Sequence, residues 1–216
     1  MKVDLKTLDS YAARRGEFRV LEVPPLQYLA IDGHGDPNTQ PYADAIATIY
    51  PVAYKLKFAS KTRLDRDYVV MPLEATWSAD DPAAFTSRRD KSRWDWTLLT
   101  LVPEWIAVEH VAAAIDAVRA SDAPAPLLDA VRLTTLDEGL CVQTLHVGPF
   151  DDEGPTLARL HDDFIPAHGL RMNGRHHEIY LSDARRTPPA RLRTILRQPV
   201  TVDGDQREPA QGGGRR

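Results

Sequence analysis

The sequence predicts an α+β protein built from two related strand–helix–strand–strand modules. Three observations point to it. The order strand, turn, helix, strand, strand occurs twice along the 216 residues. Leu73-Glu74-Ala75-Thr76-Trp77-Ser78 in the first half is echoed by His177-Glu178-Ile179-Tyr180-Leu181-Ser182 in the second. The stretch from His176 to Asp183 alternates as a half-buried strand does, with Ile179 and Leu181 on one face and Glu178 and Tyr180 on the other.

Residues 1–16 read as a short helical or irregular lead-in. Strand-like runs fill 18–32 and break at Pro24-Pro25; the turn Gly33-His34-Gly35-Asp36-Pro37-Asn38 follows. Tyr42, Ile46, Ile49, Tyr50 and Tyr54 recur at helical spacing and predict a helix over 40–59, kinked or broken early at Pro51. One long strand is expected over 67–78, with Val69, Met71, Leu73 and Trp77 on its apolar parity. A polar loop over 79–92 leads to a strand from Trp94 to Val102. A helix fits 103–120 with Pro103 in its first turn, and a shorter one fits 125–133.

The second half repeats the order. A strand from Leu140 to His146 ends in the turn Gly148-Pro149-Phe150-Asp151-Asp152, and a helix fits 153–168. The Glu178 strand and a last strand near 191–197 complete it. The reading is one domain over 1–200, with module one at about 18–102 and module two at about 136–198. Glu74 and Glu178 become counterparts in this duplication. The polar segment 201–216, ending in three glycines and two arginines, is expected to be disordered.

Composition narrows the function. Hydrophobic residues make up 43% and charged residues 27%, as in an ordinary globular protein. A net charge of −4 argues against direct nucleic-acid binding, which needs a basic surface to displace counterions. No apolar run approaches the ~20 residues of a membrane helix, and Met1-Lys2-Val3-Asp4 does not open a signal peptide, so the cytoplasm is the expected compartment. The single Cys141 lies in an apolar strand pattern and reads as a small core residue. Gly33-His34-Gly35 lacks a third glycine and is followed by acid and proline, so it is a turn and not a dinucleotide loop.

Glu178 and Tyr180 carry the chemistry. A carboxylate and a phenol on one strand face suit a pocket for a flat polar or cationic molecule, or acid/base work. His176 shares their parity, while His177 faces the other way. Two adjacent histidines on one strand cannot converge on a single ion, and His34, His146, His161 and His168 are scattered, so neither metal nor cofactor is expected. Trp94 and Trp96 share a strand face and serve either as core or as aromatic walls for a planar ligand. Tyr28 and Tyr68 are further aromatic candidates. Trp77, on the apolar parity of its strand, is assigned to the core.

At several motifs the chain resembles the gyrase-inhibitor-like (GyrI-like) small-molecule-binding family. The matching segments are Val23-Pro24-Pro25, Ile31 to Pro37, Asp67 to Glu74, Trp94-Asp95-Trp96-Thr97, Glu138-Gly139 with Gln143 to Pro149, His176 to Arg186 and Leu192 to Leu196. The resemblance spans roughly 2–200. It implies two strand–helix–strand–strand (SHS2) modules about a pseudo-twofold axis, joined in one concave antiparallel sheet with helices on one side. It also implies a groove for hydrophobic, aromatic and often cationic molecules, with a central-strand glutamate that Glu178 matches. Related domains accompany DNA-binding helix-turn-helix segments in multidrug-responsive regulators; none is seen here. A standalone branch hydrolyses the strained cyclopropane of DNA-alkylating natural products of the yatakemycin and CC-1065 type, and the chain is similar to it. Phe150 departs from the tyrosine expected after Gly148-Pro149.

Two readings follow from this resemblance. In the first, a cofactor-independent hydrolase adds water to a cyclopropane conjugated to a dienone. Glu178 is its general base, and Tyr180 or Tyr68 is the donor to the dienone oxygen. Tyr28, Tyr68, Glu74, Trp94, Trp96, His146 and His176 contact the ligand. In the second, the same residues bind or sense lipophilic drugs without chemistry, for detoxification or resistance. A gyrase or regulator partner is a third idea that no segment identifies.

Overall fold

A computed structural model describes residues 2–81, 84, 88 and 90–203. The order of strands explains the symmetry. β3 (Leu26–His34), α1 (Gln40–Arg63), β5 (Glu74–Ser78) and β6 (Asp95–Leu101) form module one; β8 (Gly139–Val147), α3 (Gly154–Ala158), β10 (His176–Tyr180) and β11 (Arg193–Val202) form module two. They lie in the sheet as β8-β11-β10 followed by β5-β6-β3, mirror-ordered about the β10–β5 junction. β2 (Arg19–Val23) extends one edge beside β8 and β7 (Arg132–Leu136) the other beside β3, while β9 (Leu170–Met172) pairs with β11. All neighbours in this open nine-stranded sheet are antiparallel. A separate parallel pair joins β1 (Lys2–Val3) to β4 (Asp67–Tyr68).

The helices lie on one face. α1 packs on β3 and β6, and α2 (Val108–Arg119) packs against α1. The main core, with Leu29, Ile49, Leu56, Trp96 and Leu98, fills that layer. Leu160 and Ile165 bury a smaller core with Val142 and Val200 under the second helical segment. On the opposite face Tyr11, with Leu5 and Leu8 of the lead-in, covers Tyr28, Ile179 and Ile195. Cys141 is buried, in the core as expected.

Several boundaries differ from expectation, each for a local reason. α1 runs unbroken through Pro51, because Pro51 and Ala47, whose carbonyl it strips of a partner, both lie on the exposed side where water can hydrate it. Lys61 and Arg63 complement the dipole at its end. The strand expected over 67–78 is two short strands, because Pro72 interrupts the run. α2 begins at Val108, not Pro103: the Gln27 amide donates to the carbonyls of Pro103 and Ile106 and pins a turn there. The 125–133 segment is no helix; Leu128–Ala130 makes one 3-10 turn, and Arg132 already enters β7. The helix expected over 153–168 is α3, a π-helical stretch (Arg159–Phe164) and α4 (Ile165–Ala167) in sequence. β9 was not anticipated. β11 continues to Val202, so Thr201 and Val202 belong to the sheet, and the rest of the expected tail from 204 lies outside the described residues. Part of the 79–92 loop also lies outside them.

Candidate functional site

β10 lies at the middle of the sheet beside β5, and its alternation sorts five side chains between the two faces. His176, Glu178 and Tyr180 face the helix side; His177 and Ile179 face away. The helices sit over the outer strands, so the β5–β10 junction is left as the floor of a groove of about 1830 Å³. Ile46 and Tyr50 of α1 form one wall, and Leu157 and His161 of the second helical segment form the other. Glu178, Tyr180 and Trp77 lie between them.

The groove floor is aromatic around one carboxyl group. The Tyr180 phenol donates to Glu178 Oε2 at 2.7 Å. Trp77 stacks on Tyr42 with ring centroids 5.9 Å apart, and Trp94 meets Trp77 edge-on at 5.6 Å. Phe150 meets Tyr180 edge-on at 5.5 Å. Lys91 lies over the Trp94 ring and pairs with Asp151 at 3.3 Å. Burial raises the Glu178 carboxyl to about 7, against the opposing pull of the Tyr180 hydroxyl, the nearby Trp77 indole and the His177 field. Burial likewise raises the phenols of Tyr180 and Tyr42, which stay protonated at neutral pH. A carboxyl poised near neutrality beside protonated phenols is equipped both to accept and to donate protons.

The other face of β10 holds a sealed ionic network. His177 sits between Glu74, at 3.1 Å from Nε2, and Glu138, at 2.9 Å from Nδ1. Arg197 donates to Glu138 at 2.7 Å, to Gln143 at 3.0 Å and to the Ser10 carbonyl at 2.6 Å. Tyr11 donates to Glu74. Two carboxylates balance one imidazolium and one guanidinium, so the buried group is neutral as a whole. The carboxylates raise His177 to about 9 although burial opposes it, and His177 and Arg197 hold Glu138 down at about 2.

Of the expected site residues, the structure brings Glu178, Tyr180, Trp94 and His176 together in the groove. It places five others elsewhere. Tyr28 packs edge-on to His177 on the far face, and Glu74 belongs to the ionic network there. Tyr68 is buried between α1 and Trp105. Trp96 shares the face of Trp94, as its parity required, but Tyr42 covers it at 5.0 Å. His146 donates from Nε2 to the Pro149 carbonyl in a separate pocket of about 460 Å³.

The pairing of Glu74 with Glu178 as counterparts is corrected by register: Glu178 pairs with Ala75 and Glu74 with Ile179, so the two carboxylates face opposite sides. The same slip explains Trp77. It is buried in the helix-side core, as assigned, and also lines the groove; its parity with Met71, which packs on the far face, is broken by the irregular stretch before Glu74. Pro72 was the available signal. Tyr42, His161 and Gln198 were also missed as groove residues. Among the described residues no cluster of His, Cys, Asp and Glu is arranged to hold a metal ion, and no helix is long and apolar enough to cross a membrane.

Comparison with known proteins agrees with this architecture. The GyrI-like small molecule binding domain matches residues 16–201. An uncharacterized conserved protein from Listeria innocua is 35% identical over 93% of this chain and all of its own, with a TM-score of 0.84. A hydrolase from the same organism is 33% identical over 93% of this chain and all of its own, with a TM-score of 0.80. The C-terminal domain of EcmrR, at 11% identity over 86% of this chain and 98% of its own, shares the fold with a TM-score of 0.57. The chain matches no curated protein.

Proposed function

The chain belongs to the GyrI-like small-molecule-binding domain family, and from that premise we propose that its groove is a hydrolytic site for planar aromatic compounds carrying a strained, electrophilic cyclopropane. The observation that carries this reading is the Glu178 carboxyl, held near pKa 7 on an aromatic floor and hydrogen-bonded to a protonated phenol. A hydrolase at 33% identity supports the reaction class. The planar substrate stacks on Trp94 and meets Trp77, whose ring is nearly perpendicular to it, at its edge. Glu178 takes a proton from water as its oxygen attacks the cyclopropane carbon. The C–C bond breaks and its electron pair flows into the dienone, giving a phenolate. Tyr42, beside Tyr180, takes the role first given to Tyr68 and donates to the developing oxyanion. The proton on Glu178 then passes to the phenolate, so the product is substrate plus one water. Release of ring strain makes the step downhill, and positioning supplies much of the acceleration.

The competing reading uses the same groove without chemistry. The Trp77–Trp94 corner beside a carboxylate is also suited to a lipophilic cation. Incubation with a cyclopropane-bearing duocarmycin-type compound separates the two by mass spectrometry. A product heavier by one water supports hydrolysis. Unchanged compound that raises the melting temperature supports binding alone.

A further inference from the structure

The pocket of about 460 Å³ that contains His146 has no part in the groove. Its volume falls within the roughly 300–1,000 Å³ of ordinary ligand sites. The second helical segment separates the two cavities: Leu157 and His161 line the groove, while Thr156 and Arg159 line the pocket.

The floor and the rim of the pocket differ. Thr144 and His146 are two apart on β8 and so project from the same face. They are 1% and 7% exposed and form the floor. The Thr144 hydroxyl has no hydrogen-bond partner. His146 Nε2–H is committed to the Pro149 carbonyl at 3.1 Å, which leaves Nδ1 as the acceptor of the neutral ring. Arg15, Arg159 and Asp152 are exposed and stand at the rim. The Arg159 guanidinium packs on Phe18, 5.1 Å from the ring centroid, and Phe18 stacks in turn on Phe164 at 5.3 Å. Such stacking steadies a guanidinium while leaving its N–H edge free for an oxyanion. Among the described residues neither arginine forms an ion pair, with Asp152 or with any other carboxylate.

Each feature selects for the ligand. Two guanidinium groups against one carboxylate leave the rim cationic. A pair of arginines suits a phosphate group, whose oxygens accept several N–H bonds at once. The floor offers a hydroxyl and an imidazole acceptor, which is the complement of an alcohol. A buried hydroxyl without a partner is costly, and native proteins retain few of them. An apolar ligand tail would leave the Thr144 hydroxyl unpaired, whereas a ligand hydroxyl would satisfy it.

We propose that this pocket binds a small phosphate monoester of a polyol, with the phosphate on Arg15 and Arg159 and a ligand hydroxyl against Thr144 and His146. The site is independent of the groove and of the reaction assigned there. Asp152 opposes the anion, so its removal tightens binding.

The test is isothermal titration at low salt with glycerol 3-phosphate and n-propyl phosphate, which share the phosphate and differ in the hydroxyls. Wild-type protein should bind glycerol 3-phosphate about fivefold more tightly, the worth of one net hydrogen bond. Arg15→Gln and Arg159→Gln should each weaken both probes about tenfold, as for a hydrogen bond to a charged group. Asp152→Asn should tighten both by about threefold. Thr144→Val should bring glycerol 3-phosphate to about the affinity of propyl phosphate and leave propyl phosphate unchanged. That variant removes a hydroxyl without a partner, so an undiminished melting temperature certifies its fold. Wild-type protein that binds neither probe, or binds the two equally, would overturn the proposal. So would glycerol 3-phosphate binding that survives both arginine substitutions, or equal losses of both probes in folded Thr144→Val.

Discussion

His177 and Glu178 are consecutive on β10 and serve opposite faces of the sheet. Glu178 opens into the groove, while His177 is fully buried between Glu74 and Glu138. One strand therefore fixes the candidate base with a neighbour anchored by ion pairs. The buried imidazolium also favours the ionised form of the carboxyl in front of it.

The rate of water addition should rise with pH. Glu178 must be ionised to accept a proton, and its carboxyl titrates near 7. We expect kcat/KM to climb about tenfold per unit below that point and to level off above it. Tyr180→Phe removes the 2.7 Å hydrogen bond that stabilises the carboxylate. It should move the midpoint upward by about one unit. A midpoint that stays in place would remove Tyr180 from control of the base.

The tryptophans at positions 94 and 96 should separate cleanly. Trp94 lines the groove and Trp96 is covered by Tyr42. Trp94→Ala should weaken a planar aromatic probe by about tenfold and cost little stability. Trp96→Ala should destabilise the fold by about 3–5 kcal/mol. Titration and urea unfolding of both variants check this, and the reverse assignment would place the ligand elsewhere.

Gly33 should tolerate no side chain. It pairs with Trp96 across β3 and β6, and a Cβ there would collide with the indole ring. Gly33→Ala should lower stability by about 1–3 kcal/mol. Combining it with Trp96→Leu, which removes the obstructing ring, should make the glycine substitution nearly silent in a double-mutant cycle.

Stability should fall on the alkaline side because of His177. Its folded value of about 9 lies above its ordinary value of 6.5, so its contribution is complete below 6.5 and is lost as pH rises through 9. Glu138, depressed to about 2 from 4.5, contributes fully above 4.5 and loses this as pH falls through 2. His177→Gln should cost about 3–5 kcal/mol near neutrality by leaving buried carboxylates short of a cation. Its unfolding free energy should lack the decline that the wild-type protein shows between pH 6.5 and 9. A parallel decline in both would assign it to other groups.

Much of this was legible in the sequence, and the exceptions are instructive. The repeated element order gave the two modules, and alternation in His176–Tyr180 put three residues of the groove on one face. Alternation fails where the chain is irregular. Pro72 cut the apparent 67–78 strand, so parity did not show that Trp77, buried in the core as assigned, also lines the groove, and the local echo matched Glu74 to Glu178 although the two face opposite sides. Contacts between distant segments carry no local signature either. The Glu74–His177–Glu138–Arg197 network joins three parts of the chain, and His161 reaches the groove from a helix whose π-helical stretch no residue spacing announced. Trp96 shows the converse limit: its face was readable, but its cover by Tyr42 was not.

The most direct test of the central claim compares wild-type protein with Glu178→Gln on a duocarmycin-type cyclopropane in oxygen-18 water. The account predicts that both bind the compound with similar Kd, and that wild-type protein yields the ring-opened product carrying one labelled oxygen. The variant should turn over at least ~100-fold more slowly. Equal turnover by the two proteins, or no product from wild-type protein that binds the compound, would contradict it.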